Sequence, residues 1–304
     1  MKTTRKKMNK TGRTVRELGS RCLAFSEKFT TLSKVIANTL NIAQPWRNIG
    51  FTVLFLAITL LISSSDILRH EFKIRTVVID AGHGGKDPGT HGASLEEKDV
   101  VLKIALKLGE YIENNFPEVK VIYTRKTDKF IELDDRAEVA NKNKADLFIS
   151  IHANAISNSS THGTETWVMG LHKSDANLAV AKRENSVILK EDNYEEKYQG
   201  FDNSTESIIM ISLMQSAYLE SSVKFADKIE KQFKSKVGRN SRGVKQAGFI
   251  VLYKTTTPSV LVEVGFLTNT TEEKFLGTDN GQDLVASGIY RAFKEYKSEV
   301  ESIN

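Results

Sequence analysis

At 304 residues, with 40% apolar and 27% charged side chains, the chain has the composition of a globular protein with ample core. Its net charge of +5 sits in the first 65 residues, where 11 Lys/Arg face only Glu17 and Glu27; the remainder carries 32 basic and 36 acidic side chains. A mildly acidic folded part disfavours a phosphate-binding surface, so no nucleic-acid partner is expected. The sole cysteine, Cys22, excludes an intrachain disulfide and leaves His and carboxylates to hold any metal in the globular part.

Residues 1–48 are basic and weakly patterned, and read as a cytoplasmic arm. From Asn48 to Ser65 no residue is charged, and Phe51–Ile62 is the apolar heart of that run. A basic flank, an apolar stretch and then Ser63-Ser64-Ser65 match a signal peptide or a signal anchor over 49–65. The positive-inside rule then keeps the N-terminus cytoplasmic and sends the rest across, to the periplasm or cell envelope. Residues 66–73 read as a linker.

The strand Ile74–Asp80 runs into Ala81-Gly82-His83-Gly84-Gly85-Lys86-Asp87-Pro88-Gly89, a turn too rich in glycine to be anything but a close-approach loop. Ser94 and Glu97 have the form of a capping box. The helix that follows buries Val101, Ile104, Ala105, Leu108 and Ile112, and Glu97, four residues before Val101, shares their inward face. Glu96 falls with Lys103 and Lys107 on the wet side. Val119–Arg125 is a second strand and Leu133–Asn143 a helix. The almost wholly apolar strand Ala145–Ile151 ends at His152-Ala153-Asn154 and reads as a central parallel strand.

Gly163–Met169 is a fourth strand. Residues 170–212 form a long polar, acidic insert, helical near Ala176–Leu189. A long helix spans Leu213–Lys236, with Met214, Tyr218, Phe225, Ile229 and Phe233 on its buried face. Phe249–Tyr253 and Ser259–Phe266 are two further strands, and the last carries Glu263 in its middle. An acid there is costly to bury unless it is paired or used. A terminal helix, Asp283–Lys297, buries Leu284, Ile289, Ala292, Phe293 and Tyr296.

Two histidines, one inward carboxylate and one buried acid therefore gather where strands end, which is where α/β sheets bind ligands. Three N/O ligands, an open position for water and a nearby base are what a hydrolytic zinc site requires. His91 reads as a surface residue in a glycine-rich loop, and His70, His162 and His172 as surface decoration. Asn154 and Arg136 are candidates for orienting the central groups.

The runs Gly82-His83-Gly-Gly-Lys-Asp-Pro-Gly89, Glu97-Lys-Asp99, Ser150-Ile-His152-Ala-Asn-Ala155 and Val262-Glu263-Val-Gly-Phe-Leu-Thr-Asn269 resemble those of the zinc-dependent N-acetylmuramoyl-L-alanine amidases. The resemblance covers roughly residues 74–297 within an expected catalytic domain over 74–300. It implies a single α/β domain with a mixed, mostly parallel sheet of about six strands flanked by helices. It also implies one zinc ion held by His83, Glu97 and His152, with Glu263 as the catalytic acid/base. The implied substrate is peptidoglycan, cut between N-acetylmuramic acid and the first L-alanine of the stem peptide. Two rival readings keep the fold: a silent peptidoglycan-binding or activator protein, and a zinc peptidase acting on another amide.

Cell-division amidases that resemble this arrangement carry an inserted helix over the site until a partner displaces it. The same resemblance makes 170–212 a regulatory insert whose acids, Glu184, Glu191, Asp192, Glu195, Glu196 and Glu206, include candidates for the fourth zinc position. A floppy insert, or part of the substrate groove, is the alternative.

Overall fold

A computed structural model describes residues 73–198, 201–213 and 217–302. The arm, the apolar run and most of the linker expected over 1–73 lie outside the described residues, as do His70 and Met214.

Six strands form one sheet: β1 Thr76–Ala81, β2 Lys120–Tyr123, β3 Leu147–Asn154, β4 Thr164–Met169, β5 Ser241–Ala247 and β6 Ser259–Phe266, in the order β2-β1-β3-β6-β4-β5. All neighbours are parallel except β4 and β6. The mixed, mostly parallel sheet expected from the sequence is therefore present.

Strand periodicity divides the core in two. Val77, Ile79, Ile149, Ile151, Val260 and Val262 point to one face, against helices α1 (Glu97–Asn115), α6 (Leu219–Gln232) and α9 (Asp279–Ser302). Val78, Phe148, Leu261 and Trp167 point to the other. There they meet α2 (Leu133–Lys142), α3 (Asp175–Asn185), α5 (Thr205–Leu213) and the short α7 (Ile250–Tyr253). Continuing that second series by twos along the strands gives Asp80, Ser150, His152 and Glu263. One face is thus apolar at its base and ionisable at the strands' C-terminal ends.

The insert does not hang free. Ala181, Val187, Ile188, Tyr198, Phe201, Ile208 and Ile211 are buried in the second cluster. At about 1.5–3 kcal/mol for a fully buried large apolar side chain, the insert is an integral cover of that face. Beyond α3 it continues as a 3₁₀ turn, Ser186–Lys190, and a short helix α4, Tyr194–Lys197.

Four expectations are corrected. Phe249–Tyr253 is no strand: Ile250–Tyr253 is one helical turn, and the sheet's sixth strand is β5, whose sequence Ser-Arg-Gly-Val-Lys-Gln-Ala lacks an apolar run. The capping box does not form. Glu96 is the N-cap without a side-chain bond, while the Ser94 and Leu95 N–H groups donate to Glu273 Oε1 at 2.7 and 3.1 Å, from the helix α8 (Thr270–Leu276). The long helix begins at Leu219, and Tyr218 before it is 36% exposed. The terminal helix is longer than expected, and Leu284 on it is only half-buried.

Candidate metal centre and catalytic acid

His83 follows β1 in a left-handed conformation, φ 58°, which costs a non-glycine residue about 1–2 kcal/mol. The surroundings enforce it. Arg136, itself buried, donates to the carbonyls of Ala81 and His83 at 2.8 Å each and to Asp80 Oδ1 at 2.8 Å. Asp87 Oδ2 lies 2.7 Å from His83 Nδ1. A carboxylate can only accept, so Nδ1 carries the proton and Nε2 presents its lone pair to the site.

His152 enters from β3 and Glu97 from the first turn of α1. Both Glu97 oxygens are aimed by backbone donors: Ala153 N–H to Oε1 and Thr90 N–H to Oε2, each at 2.8 Å. Glu97 Oε2 is 3.2 Å from His83 Nε2, and Oε1 is 3.1 Å from His152 Nδ1. The fourth member comes from α3. Glu184 Oε2 stands 3.3 Å from His83 Nε2 and 3.0 Å from His152 Nδ1.

The four ligand atoms of His83, Glu97, His152 and Glu184 lie within 4.8 Å of one another, and all four residues are buried. Their closest spacings are near the roughly 3.3 Å edge of a tetrahedron built on bonds of ~2.0–2.1 Å, the zinc–nitrogen and zinc–oxygen range. His83 Nε2 and Glu184 Oε2 are buried yet make no hydrogen bond. A cation among these atoms would satisfy both, so the residues fit a metal. Electrostatics agrees. Burial alone would lower the His152 pKa, yet the Glu184 and Glu97 carboxylates raise it to about 9. His83 is raised likewise, with Glu97 and Asp87 overcoming burial. The cluster calls for positive charge.

Glu263 lies beside His152 in the β3–β6 register and is fully buried. Burial pushes its carboxyl well above the usual range; Arg183 opposes this, and Glu184 and Glu97 add to it. Its Oε2 makes no hydrogen bond. A buried carboxyl that holds a proton readily, next to a metal-fitting cluster, has the character of a general acid/base.

A family model described as N-acetylmuramoyl-L-alanine amidase matches residues 77–295, most of the chain and the whole of the sheet from β1's second residue onward. The chain belongs to the N-acetylmuramoyl-L-alanine amidase family. It is 35% identical over 223 residues to the amidase AmiA of Escherichia coli K12, covering 73% of this chain and 76% of that protein. Among solved structures, an N-acetylmuramoyl-L-alanine amidase from Clostridium difficile 630 superposes with a TM-score of 0.55 at 29% identity, over 74% of this chain and 97% of the other. The CwlD amidase from Clostridioides difficile, solved in complex with the GerS lipoprotein, gives 0.55 at 27% identity, over 74% and 99%.

In this amidase-family chain the four residues singled out from the sequence, His83, Glu97, His152 and Glu263, come together. His91 and His162 are exposed and His172 is half-buried; none joins the cluster. Arg136 does orient the His83 loop, and Asn154 lies beside the site. Three supporting residues received no role from sequence. Asp87 fixes the His83 tautomer, Lys190 holds Asp87 from the 3₁₀ turn at 2.6 Å, and Arg183 pairs with both Glu184 and Glu263 at 2.8 and 3.2 Å. Glu184 itself was one of six acids. Its marker is the buried stripe Asn177, Ala181, Glu184 and Asn185, a helical spacing occupied mainly by polar residues.

Gly82 shows how tightly the loop is fitted. A Cβ there would come within 2.5 Å of the His152 ring. Gly82→Ala is expected to displace that ring and to weaken metal binding by at least tenfold with the fold retained, as read by metal titration and circular dichroism. Unchanged affinity would mean that the ring moves aside freely.

Proposed function

We propose that the chain is a zinc-dependent N-acetylmuramoyl-L-alanine amidase of the cell envelope, exported or anchored by its N-terminal segment. It hydrolyses the amide between N-acetylmuramic acid and L-alanine of peptidoglycan, in wall remodelling and daughter-cell separation. The observation that carries this reading is the cluster His83, Glu97, His152 and Glu184 beside the buried acid Glu263.

His83, Glu97 and His152 would hold the zinc, which when bound supplies a Lewis acid for the amide carbonyl and an acidified water. Glu263 accepts a proton from the attacking water as its oxygen bonds to the carbonyl carbon. It then delivers that proton to the leaving nitrogen as the C–N bond breaks. The products are a lactyl carboxylate on the glycan and a stem peptide with a free N-terminal alanine.

Glu184 occupies the position that water or substrate needs. The resting protein is therefore restrained, and an activator that lifts α3 turns it on. The CwlD–GerS complex supports a lipoprotein or envelope partner for a protein of this fold.

Chelation is expected to abolish hydrolysis of purified sacculi, and one equivalent of zinc to restore it. The protein should bind about one zinc per chain, measured by elemental analysis. Full turnover in a rigorously metal-free preparation would remove the zinc assignment.

A further inference from the structure

We propose that Asn154 Oδ1 and the Ala155 carbonyl form the subsite for the peptide N–H that follows the scissile amide, and that Arg183 fills this subsite in the restrained protein as a mimic of substrate. The proposal deepens the amidase reading and rests on it.

The guanidinium of Arg183 makes contacts that Glu184 alone does not explain. Its Nη1 donates to Asn154 Oδ1 at 3.0 Å and to the Ala155 carbonyl at 2.9 Å, while Nη2 lies 3.2 Å from Glu263 Oε1. A group that only donates thus satisfies three acceptors lined up from the catalytic acid to the end of β3. Those acceptors are built without its help. Asn154 is 1% exposed, and its Nδ2 donates to Glu165 Oε2 at 3.1 Å. Since a carboxylate cannot donate, the amide is locked with Oδ1 turned toward Ala155 N–H, 2.8 Å away, and toward the site.

Glu165 is buried in turn, and its other oxygen accepts from Arg242 Nε at 2.6 Å and Lys245 Nζ at 2.5 Å. Two layers of support therefore fix the direction of one carbonyl oxygen. When α3 withdraws, Oδ1 keeps only the Ala155 N–H and the half-buried Ala155 carbonyl loses its Arg183 donor, and a hydrogen bond left unmade there is costly.

The stem peptide offers the matching donors. The scissile amide N–H belongs next to Glu263, which protonates the leaving nitrogen, and the next peptide N–H lies one residue further along. The lactyl group carries no N–H, and the acetamido N–H of the sugar lies across it from the scissile amide. With the leaving nitrogen at Glu263, Asn154 and Ala155 meet the peptide side and set the direction of the substrate across the site.

The test uses the full-length chain opened by Arg183→Ala and Glu184→Ala together, with and without Asn154→Ala. The probes are N-acetylmuramoyl-L-alanyl-D-isoglutamine and the analogue whose second amide N–H is replaced by an ester oxygen. The opened protein is expected to cut the amide compound about tenfold more efficiently in kcat/KM, the size of one hydrogen bond, and Asn154→Ala to erase most of that preference with zinc content unchanged. The comparison of substrates on the opened protein needs no change at Asn154, so a poorly folded variant cannot hide the answer. Equal rates on the two compounds, or a preference that survives Asn154→Ala undiminished, overturns the proposal.

Calorimetric binding of the free dipeptide and its ester counterpart separates the two readings. If the opened protein binds the amide about tenfold more tightly yet hydrolyses neither muramyl compound, the subsite stands and the amidase reading falls.

Discussion

Glu263→Gln is expected to retain zinc and to lose turnover by about two to four orders of magnitude, the usual worth of general acid–base catalysis. Glutamine is isosteric, so β6 keeps its packing in the fully buried centre of the sheet, and its amide oxygen can still accept from Arg183. What disappears is the capacity to take and return a proton. Glu97→Gln contrasts with it. Glu97 faces both histidine rings and is held by two backbone donors. Its loss should therefore weaken metal affinity by more than the roughly 10–100-fold typical of an outer-shell change. Glu96→Gln, one residue away and pointing instead at Lys98, should be nearly silent in both assays. Zinc loss from Glu263→Gln with retention in Glu97→Gln would exchange the two roles.

Glu184→Ala is expected to raise hydrolysis of sacculi by about 10–100-fold in the absence of any partner. If the closed arrangement is favoured by roughly 1.5–3 kcal/mol, the competent fraction is about 1–7%, and removing the latch recovers it. The substitution is preferable to excising the insert. Val187, Ile188, Tyr198 and Phe201 cover the sheet, and removing them would expose the face that carries the site. Dye release from purified sacculi measures the effect. A folded, zinc-loaded Glu184→Ala protein no faster than the parent refutes the restraint, and a slower one makes Glu184 part of the working site.

Much of this centre was legible because strands announce it. The apolar runs of β1, β3 and β6 end or centre on His83, His152 and Glu263, and a period of two places His152 and Glu263 on one face. Glu97 was legible from its position on the apolar stripe of α1. The edge strand β5 was not, because an edge needs little apolar surface and Ser241–Ala247 has almost none. Phe249–Tyr253 failed for the opposite reason: a short apolar run is buried equally well as a strand or as a helical turn. The sequence around Ser94 has the form of a cap, but a carboxylate distant in sequence, Glu273, takes the donors that a local cap would use.

Within the insert, α3 gives little apolar signal because three of its four buried residues, Asn177, Glu184 and Asn185, are polar. Arg183 and Glu184 meet ionisable groups and the Ala155 carbonyl at the site, and Asn185 meets the Gly248 carbonyl and the Ile250 N–H. No hydrophobic periodicity can report such a face. The left-handed His83 is equally silent in sequence, since the Arg136 contacts that enforce it come from a helix more than 50 residues away.

The most direct measurement is mass spectrometry of sacculi digested by zinc-loaded Glu184→Ala protein. Free stem peptides bearing an N-terminal L-alanine are expected, with glycan strands left intact and carrying lactyl carboxylates, and neither product from Glu263→Gln in the same background. Stem peptides cut at an internal peptide bond, or sacculi that bind the zinc-loaded protein and release nothing, would contradict it.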